Sequence, residues 1–297
     1  MPETLAAAPP LEPLDALVAR IPDGAKIALP PDYSYCAMAA TAALIRRGAR
    51  DLHLVGVPTG GFHADWLIGA GAVAKVEAAA MSLGEYGLPP RFVEAYKAQQ
   101  LRMIDSTCPA IQAGLQAAEK GLPFIPLRGI LGSDLLRYRP DWHVIANPMA
   151  PADASPDPTY GVVDPIVVLP AIKPDVALFH APKADRFGNV WIGVRRELML
   201  MAHAARATYV TVEEVVDGDL LRDDATASGT IPALYVSALS EVPLGAAPLG
   251  LPGSYGPDRA ALQAYVHAAK TADGFAAWAE EHLHALMPAL MPALMPE

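Results

Sequence analysis

Several acidic, imidazole and glycine-rich positions in this chain are spaced so that they could do chemistry. Glu213 and Glu214 close an apolar run, Tyr209-Val210-Thr211-Val212, which reads as a buried strand. In open parallel sheets ligands collect at the carboxyl ends of strands, so Glu213 is a candidate for lining a substrate site. The other reading is a solvated strand end or an ion pair with a nearby arginine. His180 ends a second apolar run that begins at Val176. An ordinary imidazole titrates near neutrality and could hydrogen-bond a substrate oxygen. The favoured reading is a buried histidine that holds the loop after it. In that loop Asp185 and Asn189 suit a tight turn, where their side chains bond nearby amides, and Gly188 supplies the permissive dihedral.

Two more groups follow strands. Thr59-Gly60-Gly61 could present backbone N–H groups to a carboxylate or an oxyanion, or be an ordinary strand-to-helix turn. Arg128, with Gly132 and Ser133 close behind, could hold a carboxylate bidentately and with a hydroxyl, or belong to a surface loop packed on a partner. After the first strand the chain reads Pro30-Pro31-Asp32-Tyr33-Ser34-Tyr35. Two prolines remove two backbone donors, which argues against an oxyanion role for that loop.

The elements that must position these residues alternate. Residues 14–20 form a short amphipathic helix, and 26–29 a strand after the Pro22-Asp23-Gly24 turn. Residues 36–47 have helical composition and stop at Gly48, with Arg46 and Arg47 in the last turn. A strand over 51–57 completes a β–α–β unit of about 30 residues, the length of a parallel crossover. Helices at 64–69, 91–100, 109–120 and 197–205 alternate with strands at 73–81, 101–104, 162–168, 176–180, 190–193 and 208–212. Residues 138–160 read as a long irregular excursion. A further strand is expected at 234–237, a Gly/Pro loop at 245–255, and helices at 259–269 and 275–284. This predicts an α/β fold: an open, mostly parallel sheet with helices on both faces. Residues 1–13 are expected to be a flexible N-terminus, 14–284 one domain, and the ALMP repeats of 285–297 a low-complexity tail, because proline every fourth residue cannot continue a helix.

Of the 297 residues, 53% are hydrophobic and 18% charged, so a large core and a subunit interface are expected. The most apolar stretch, 162–180, is broken by Asp164, Lys173, Asp175 and three prolines, short of the ~20 uninterrupted residues of a membrane span. A formal net charge of −10 disfavours nucleic acid as a partner. Cys36 and Cys108 show neither metal-ligand spacing nor a disulfide framework. Free thiols in the reducing cytoplasm and no metal are therefore the expectation, and the N-terminus lacks the features of a signal peptide.

Four segments carry a family resemblance in order along the chain: RRGARDL at 46–52, GLPFIPLRGILGSD at 121–134, HAPKADRFGN at 180–189 and YVTVEEVV at 209–216. They resemble the R-R-G-x-R-D-L, G-L-P-F-x-P-x-R-G-x2-G-S-D-L, H-x3-A-D-x2-G-N and T-V-E-E-(I/V)-V segments of family I CoA-transferase alpha (A) subunits of the glutaconate CoA-transferase type. The resemblance runs from about residue 14 to 265 and implies the CoA-transferase (NagB/RpiA-like) fold.

It also implies a reaction and a partner. These enzymes move CoA between carboxylic acids through a glutamate that attacks the acyl-CoA thioester, a covalent route that splits one hard step in two. In the glutaconate group that glutamate sits on the beta subunit. Here Glu85-Tyr86-Gly87 is the nearest equivalent, in the wrong part of the chain, so no nucleophile is expected on this chain. CoA and acyl-CoA are then substrates rather than bound cofactors. A beta subunit completes the site, with α2β2 assembly implied. Arg128 would suit a dicarboxylate monoester such as glutaconyl-CoA. Asp105 stands where relatives often carry glutamate and is a possible acid/base. An acidic residue near this position is implicated in a steroid-catabolism branch that hydrolyses a ring carbon–carbon bond of a CoA thioester. A ring-opening hydrolase subunit is thus one alternative, and a non-catalytic ligand-binding sensor of related fold another.

Overall fold

The computed structural model describes residues 8–283; the ALMP repeats at 285–297 and the first seven residues of the expected flexible N-terminus lie outside them. In chain order the elements are α1 (Leu14–Ala19), β1 (Lys26–Leu29), α2 (Met38–Arg47), β2 (Leu52–Gly56), β3 (Thr59–Gly60), α3 (Phe62–Gly69), β4 (Val73–Ala78), β5 (Ala80–Met81), α4 (Pro90–Lys97), β6 (Arg102–Asp105) and α5 (Cys108–Glu119). Then come β7 (Phe124–Leu127), α6 (Leu135–Tyr138), β8 (His143–Ala146), β9 (Pro165–Pro170), β10 (Val176–Asp185), β11 (Val190–Trp191), α7 (Arg196–Ala204), β12 (Ala207–Val216), α8 (Asp224–Ala227), β13 (Thr230–Ile231), β14 (Ala238–Glu241), α9 (Arg259–Ala268) and α10 (Ala272–Leu283).

Seven strands run parallel in the order β6-β4-β2-β1-β10-β12-β14, and β11 with β13 adds an antiparallel pair along the outer half of β10. The order reverses between β1 and β10: strands after β1 step one way, and β10, β12 and β14 step the other. Alternation along the strands serves two cores. Ile27, Leu29, Leu54, Val176, Leu178 and Tyr209 face α1 to α4, whereas Ala28, Val55, Ala177, Phe179, Val210 and Val212 face α5 and α7. Helices therefore cover both faces of a mostly parallel sheet, as expected from the alternating pattern. Each fully buried leucine or phenylalanine contributes about 1.5–3 kcal/mol through area removed from water.

A third core is aromatic. Phe62 and Trp66 of α3 meet Tyr265, Phe275 and Trp278 of α9 and α10. Buried Asp65 beside them accepts from the Tyr265 hydroxyl at 2.7 Å and from the Phe92 amide at 2.7 Å, which locks the C-terminal helices to α3 and α4. Burial pushes the Asp65 carboxyl up to about 6, against these donors.

Several elements depart from the sequence reading. β9, expected with the buried strands, belongs to a separate antiparallel sheet ordered β7-β9-β8, and the excursion of 138–160 contains β8. This lobe packs Val167 and Leu169 on Ala110 and Ala113 of α5. Arg139 ties it to the main sheet through the Asp105 carbonyl at 2.9 Å and Glu77 at 3.2 Å. Residues 233–235 form a 3₁₀ turn, and the strand expected at 234–237 begins at Ala238. The run 73–81 breaks at Ala79, and β5 leaves the main sheet to pair with β3. Residues 10–12 are held rather than loose: Leu239 donates to the Pro10 carbonyl and receives the Glu12 amide, both at 2.9 Å. Among the described residues no helix is long and apolar enough to cross a membrane.

Candidate functional site

The carboxyl edge of the sheet gathers the loops after β1, β2, β6 and β14. β10 and β12 run on beyond the end of β1, each ten residues long and paired at nine of them, so His180 and Glu213 lie inside strands rather than at strand ends. The ladder joins Ala181 to Val212 and Lys183 to Glu214, stepping over Pro182, the residue that reads as a breaker in the sequence.

His180 is fully buried. Its Nε2 is 2.8 Å from Glu213 Oε1 and its Nδ1 2.8 Å from Thr211 Oγ1. A carboxylate can only accept, so Nε2 carries the proton and Nδ1 accepts from the threonine hydroxyl. Glu213 takes two further donors: the Tyr255 hydroxyl at 2.6 Å on Oε1 and the Leu244 amide at 2.7 Å on Oε2. Tyr255 in turn receives the Ala246 amide at 3.1 Å. Burial lowers the pKa of His180, with Glu213 opposing. Burial would raise that of Glu213, but the bonds from His180, Tyr255 and Leu244 outweigh it and hold the carboxyl below its usual value. Gly245 makes the approach possible, since a Cβ there would lie 2.6 Å from the His180 ring. The His180 amide donates to the Tyr35 carbonyl at 2.8 Å, joining this network to the β1 loop.

The β1 loop is itself anchored. Ser34 donates to Glu197 at 2.6 Å, and Asp32 accepts the Phe62 amide that opens α3. Burial pushes the Asp32 carboxyl up to about 7, with the Phe62 N–H opposing. Beside it Cys36 and His63 are fully buried. Burial drives His63 down to about 4 against a weaker pull from the Pro30 carbonyl, and neither ring nitrogen makes a well-formed hydrogen bond.

The other candidates lie in different places. Thr59 and Gly60 form β3, and Gly61 caps α3 with its Cα against the Asp32 carboxylate. Asp185 is a buried hub: it accepts the amides of Phe187, Asn189 and Leu220 and the Asn189 side chain, at 2.8–2.9 Å. Gly188 has φ +88° and packs under Pro9, and Asn189 accepts the Ala233 amide. Arg128, Gly132 and Ser133 sit together on the antiparallel lobe. The carboxylate that Arg128 holds bidentately is the protein's own Asp164, Gly132 donates to the Tyr160 hydroxyl, and Ser133 accepts the Leu135 amide. Asp105 is exposed at the end of β6, with β1, β2 and β4 between it and β10. Glu85 is exposed and paired with Arg259 at 2.8 Å.

The family model described as Coenzyme A transferase matches residues 11–241. The chain belongs to this family and is of its alpha type. The alpha-type chain of 3-oxoadipate CoA-transferase from Pseudomonas knackmussii is 32% identical over 268 residues, 88% of either chain. The alpha-type chain of glutaconate CoA-transferase from Acidaminococcus fermentans is 32% identical over 254 residues, 82% of this chain and 77% of the relative. The crystal structure of that coenzyme A-transferase superposes with a TM-score of 0.82 at 27% identity, covering 93% of this chain and 89% of the other. A cholesterol ring-cleaving hydrolase IpdA subunit of Rhodococcus jostii is 31% identical over 239 residues, 79% of this chain and 78% of its own. The chain spans only 52% of one further relative, an uncharacterized protein to which it is 32% identical over 247 residues.

Thr211, Tyr255 and the Ser34–Glu197 link of this CoA-transferase chain are absent from the residues that sequence reasoning selects. Thr211 carried a usable signal, two residues before Glu213 on the same strand face. Tyr255 lies 42 residues beyond Glu213 in a Gly/Pro loop, and nothing local marks it.

Proposed function

We propose that this chain is the alpha subunit of a two-chain acyl-CoA:carboxylate CoA-transferase whose nucleophilic glutamate belongs to a beta subunit, in a cytoplasmic α2β2 assembly with CoA thioesters as substrates and no further cofactor. One observation supports the division of labour. Glu213, the carboxylate on β12 bonded to His180 of β10, has both oxygens engaged by three donors. With three of its roughly four lone-pair positions taken by the protein's own donors, Glu213 is poorly suited to attack a thioester carbonyl and serves instead to hold the site's wall, and His180 with it.

In the proposed reaction the partner's carboxylate oxygen attacks the thioester carbon, the C–S bond breaks, and CoA leaves as thiolate with a mixed anhydride behind it. The thiolate then attacks the glutamyl carbonyl and releases the first acid as carboxylate. This leaves a glutamyl-CoA thioester for the second acid. The test is to co-express the chain with a candidate beta-type chain from the same source, add acyl-CoA, and trap with borohydride or hydroxylamine. A glutamyl-CoA adduct on the partner, with neither chain active alone, is expected. Transfer by this chain alone, or no adduct in an active pair, ends the proposal.

A ring-opening hydrolase is the second reading, favoured by Asp105. Its side chain is exposed while Arg139 fixes its backbone carbonyl, which leaves the carboxylate available for proton transfer. Consumption of a cyclic-diketone CoA thioester without any adduct, lost in Asp105→Asn, selects it.

A further inference from the structure

Three side chains meet behind the β1 loop although the sequence separates them: Asp32 on the loop, Cys36 just before α2, and His63 in the first turn of α3. One ligand atom from each, a carboxylate oxygen, Sγ and a ring nitrogen, lie within 4.8 Å of one another. We propose that Asp32, Cys36 and His63 form a structural site for a thiophilic divalent cation, Zn²⁺ being the ion whose ligand chemistry fits.

Two independent observations carry it. First, His63 is fully buried, and among the described residues neither ring nitrogen has a well-formed hydrogen bond, the Pro30 carbonyl offering only a weak pull, whereas buried polar groups in folded proteins are satisfied with few exceptions. A metal bond would use one of those nitrogens. Second, the backbone is shaped for the carboxylate. A Cβ on Gly61 would lie 2.0–2.1 Å from Asp32 side-chain atoms, so a residue larger than glycine would expel it from this corner. One sulfur, one imidazole and one carboxylate form a mixed donor set suited to tetrahedral Zn²⁺. Tetrahedral bonds of that type place ligand atoms about 3.3–3.7 Å apart, so a small closure of the three side chains completes the geometry. The Cys36 thiol points at the Pro31 and Pro30 carbonyls, 3.4 and 3.9 Å away, and would give up these weak contacts on binding, with a water taking the remaining position. The Cys36 thiol proton passes to solvent on binding. The ion would pin the loop after β1 to the start of α3. That loop bonds His180 through Tyr35, so metal binding would fix the site wall as well.

The full chain, stripped with chelator and dialysed against Zn²⁺ or Co²⁺, tests this. One tightly bound equivalent per chain is expected, with a thiolate-to-cobalt charge-transfer band and tetrahedral visible bands. X-ray absorption of the Zn²⁺ form should show one sulfur among nitrogen and oxygen scatterers. Cys36→Ser and His63→Gln should weaken binding at least tenfold, and Cys108→Ser should leave it unchanged. A shell without sulfur, loss of the band in Cys108→Ser, or no stoichiometric binding overturns the site. The absorption result and the Cys108 control decide the matter even if the buried variants do not fold.

Discussion

His180 donates from Nε2 to Glu213 Oε1 at 2.8 Å across the β10–β12 ladder, an imidazole–carboxylate contact made in the sheet interior by two adjacent strands. Its consequence for pH follows from the two shifts. Burial lowers the pKa of His180, so the folded chain favours neutral imidazole. The stability this confers is complete above the unfolded value near 6.5 and falls as pH drops below it, because the unfolded chain takes up the proton first. Glu213 is also held below its ordinary value, burial being outweighed by its donors, so its share is complete above about 4.5 and is lost in more acid solution. Both losses have the same sign. Urea midpoints measured between pH 7.5 and 5 should fall with acidification. His180→Gln, which keeps a donor toward Glu213 but cannot titrate, should shallow the fall; an unchanged slope removes the histidine from this role.

Removing the acceptor should cost more than removing one donor. Glu213→Ala strands the His180 N–H, the Tyr255 hydroxyl and the Leu244 amide. Each unpaired buried group costs about 1–3 kcal/mol before water enters, so a loss of ~2–4 kcal/mol is expected by urea denaturation. Tyr255→Phe leaves two donors on the carboxylate and strands only the Ala246 amide, so it should cost less, ~1–2 kcal/mol. Equal losses in the two variants would mean that the network is not built around Glu213.

Gly61 and Gly129 give a paired test of backbone crowding. At Gly61 a Cβ would overlap the Asp32 carboxylate, whereas at Gly129 nothing lies within 4 Å and φ is not in the left-handed region. Gly61→Ala should destabilise by about 1–3 kcal/mol, the usual range for overpacking, and Gly129→Ala should be near neutral. Because the clash is with one side chain, Asp32→Ala combined with Gly61→Ala should be less damaging than the sum of the singles. Strict additivity would show that the carboxylate is not where the structure puts it.

What the sequence made legible was the alternation. Apolar strands separated by helical segments fixed the parallel sheet with helices on both faces, because period-2 and period-3.6 patterns are local properties. The ordered segments around Arg46, Arg128, His180 and Glu213 carried the family. The pairing partners were not legible. β9 is as apolar as the parallel strands, and composition cannot say which sheet it joins. The extent of β10 was hidden by Pro182, which the ladder steps over. Arg128 looked like a free fork for a substrate carboxylate because Asp164, 36 residues away, carries no local mark as its partner. Tyr255 and His63 escaped for the same reason: a contact formed by folding distant loops together leaves no spacing in the sequence.

Asp185 offers the sharpest test of a single side chain, because each of its oxygens accepts two hydrogen bonds. Oδ1 takes the Phe187 and Asn189 amides, and Oδ2 takes the Asn189 side chain and the Leu220 amide. Asp185→Asn has nearly the same shape, so packing is preserved. Whichever way the amide is turned, its NH2 group faces two donors, because no acceptor waits on either side. Two buried bonds are lost and two donor–donor contacts replace them. The expected loss is about 2–4 kcal/mol, large for an isosteric change, with the loops at 186–189 and 217–220 released together. Urea denaturation measures the loss, and hydrogen exchange at the Phe187, Asn189 and Leu220 amides locates it. If only one of the two loops loses protection, Asp185 is a local turn residue and not the link between them.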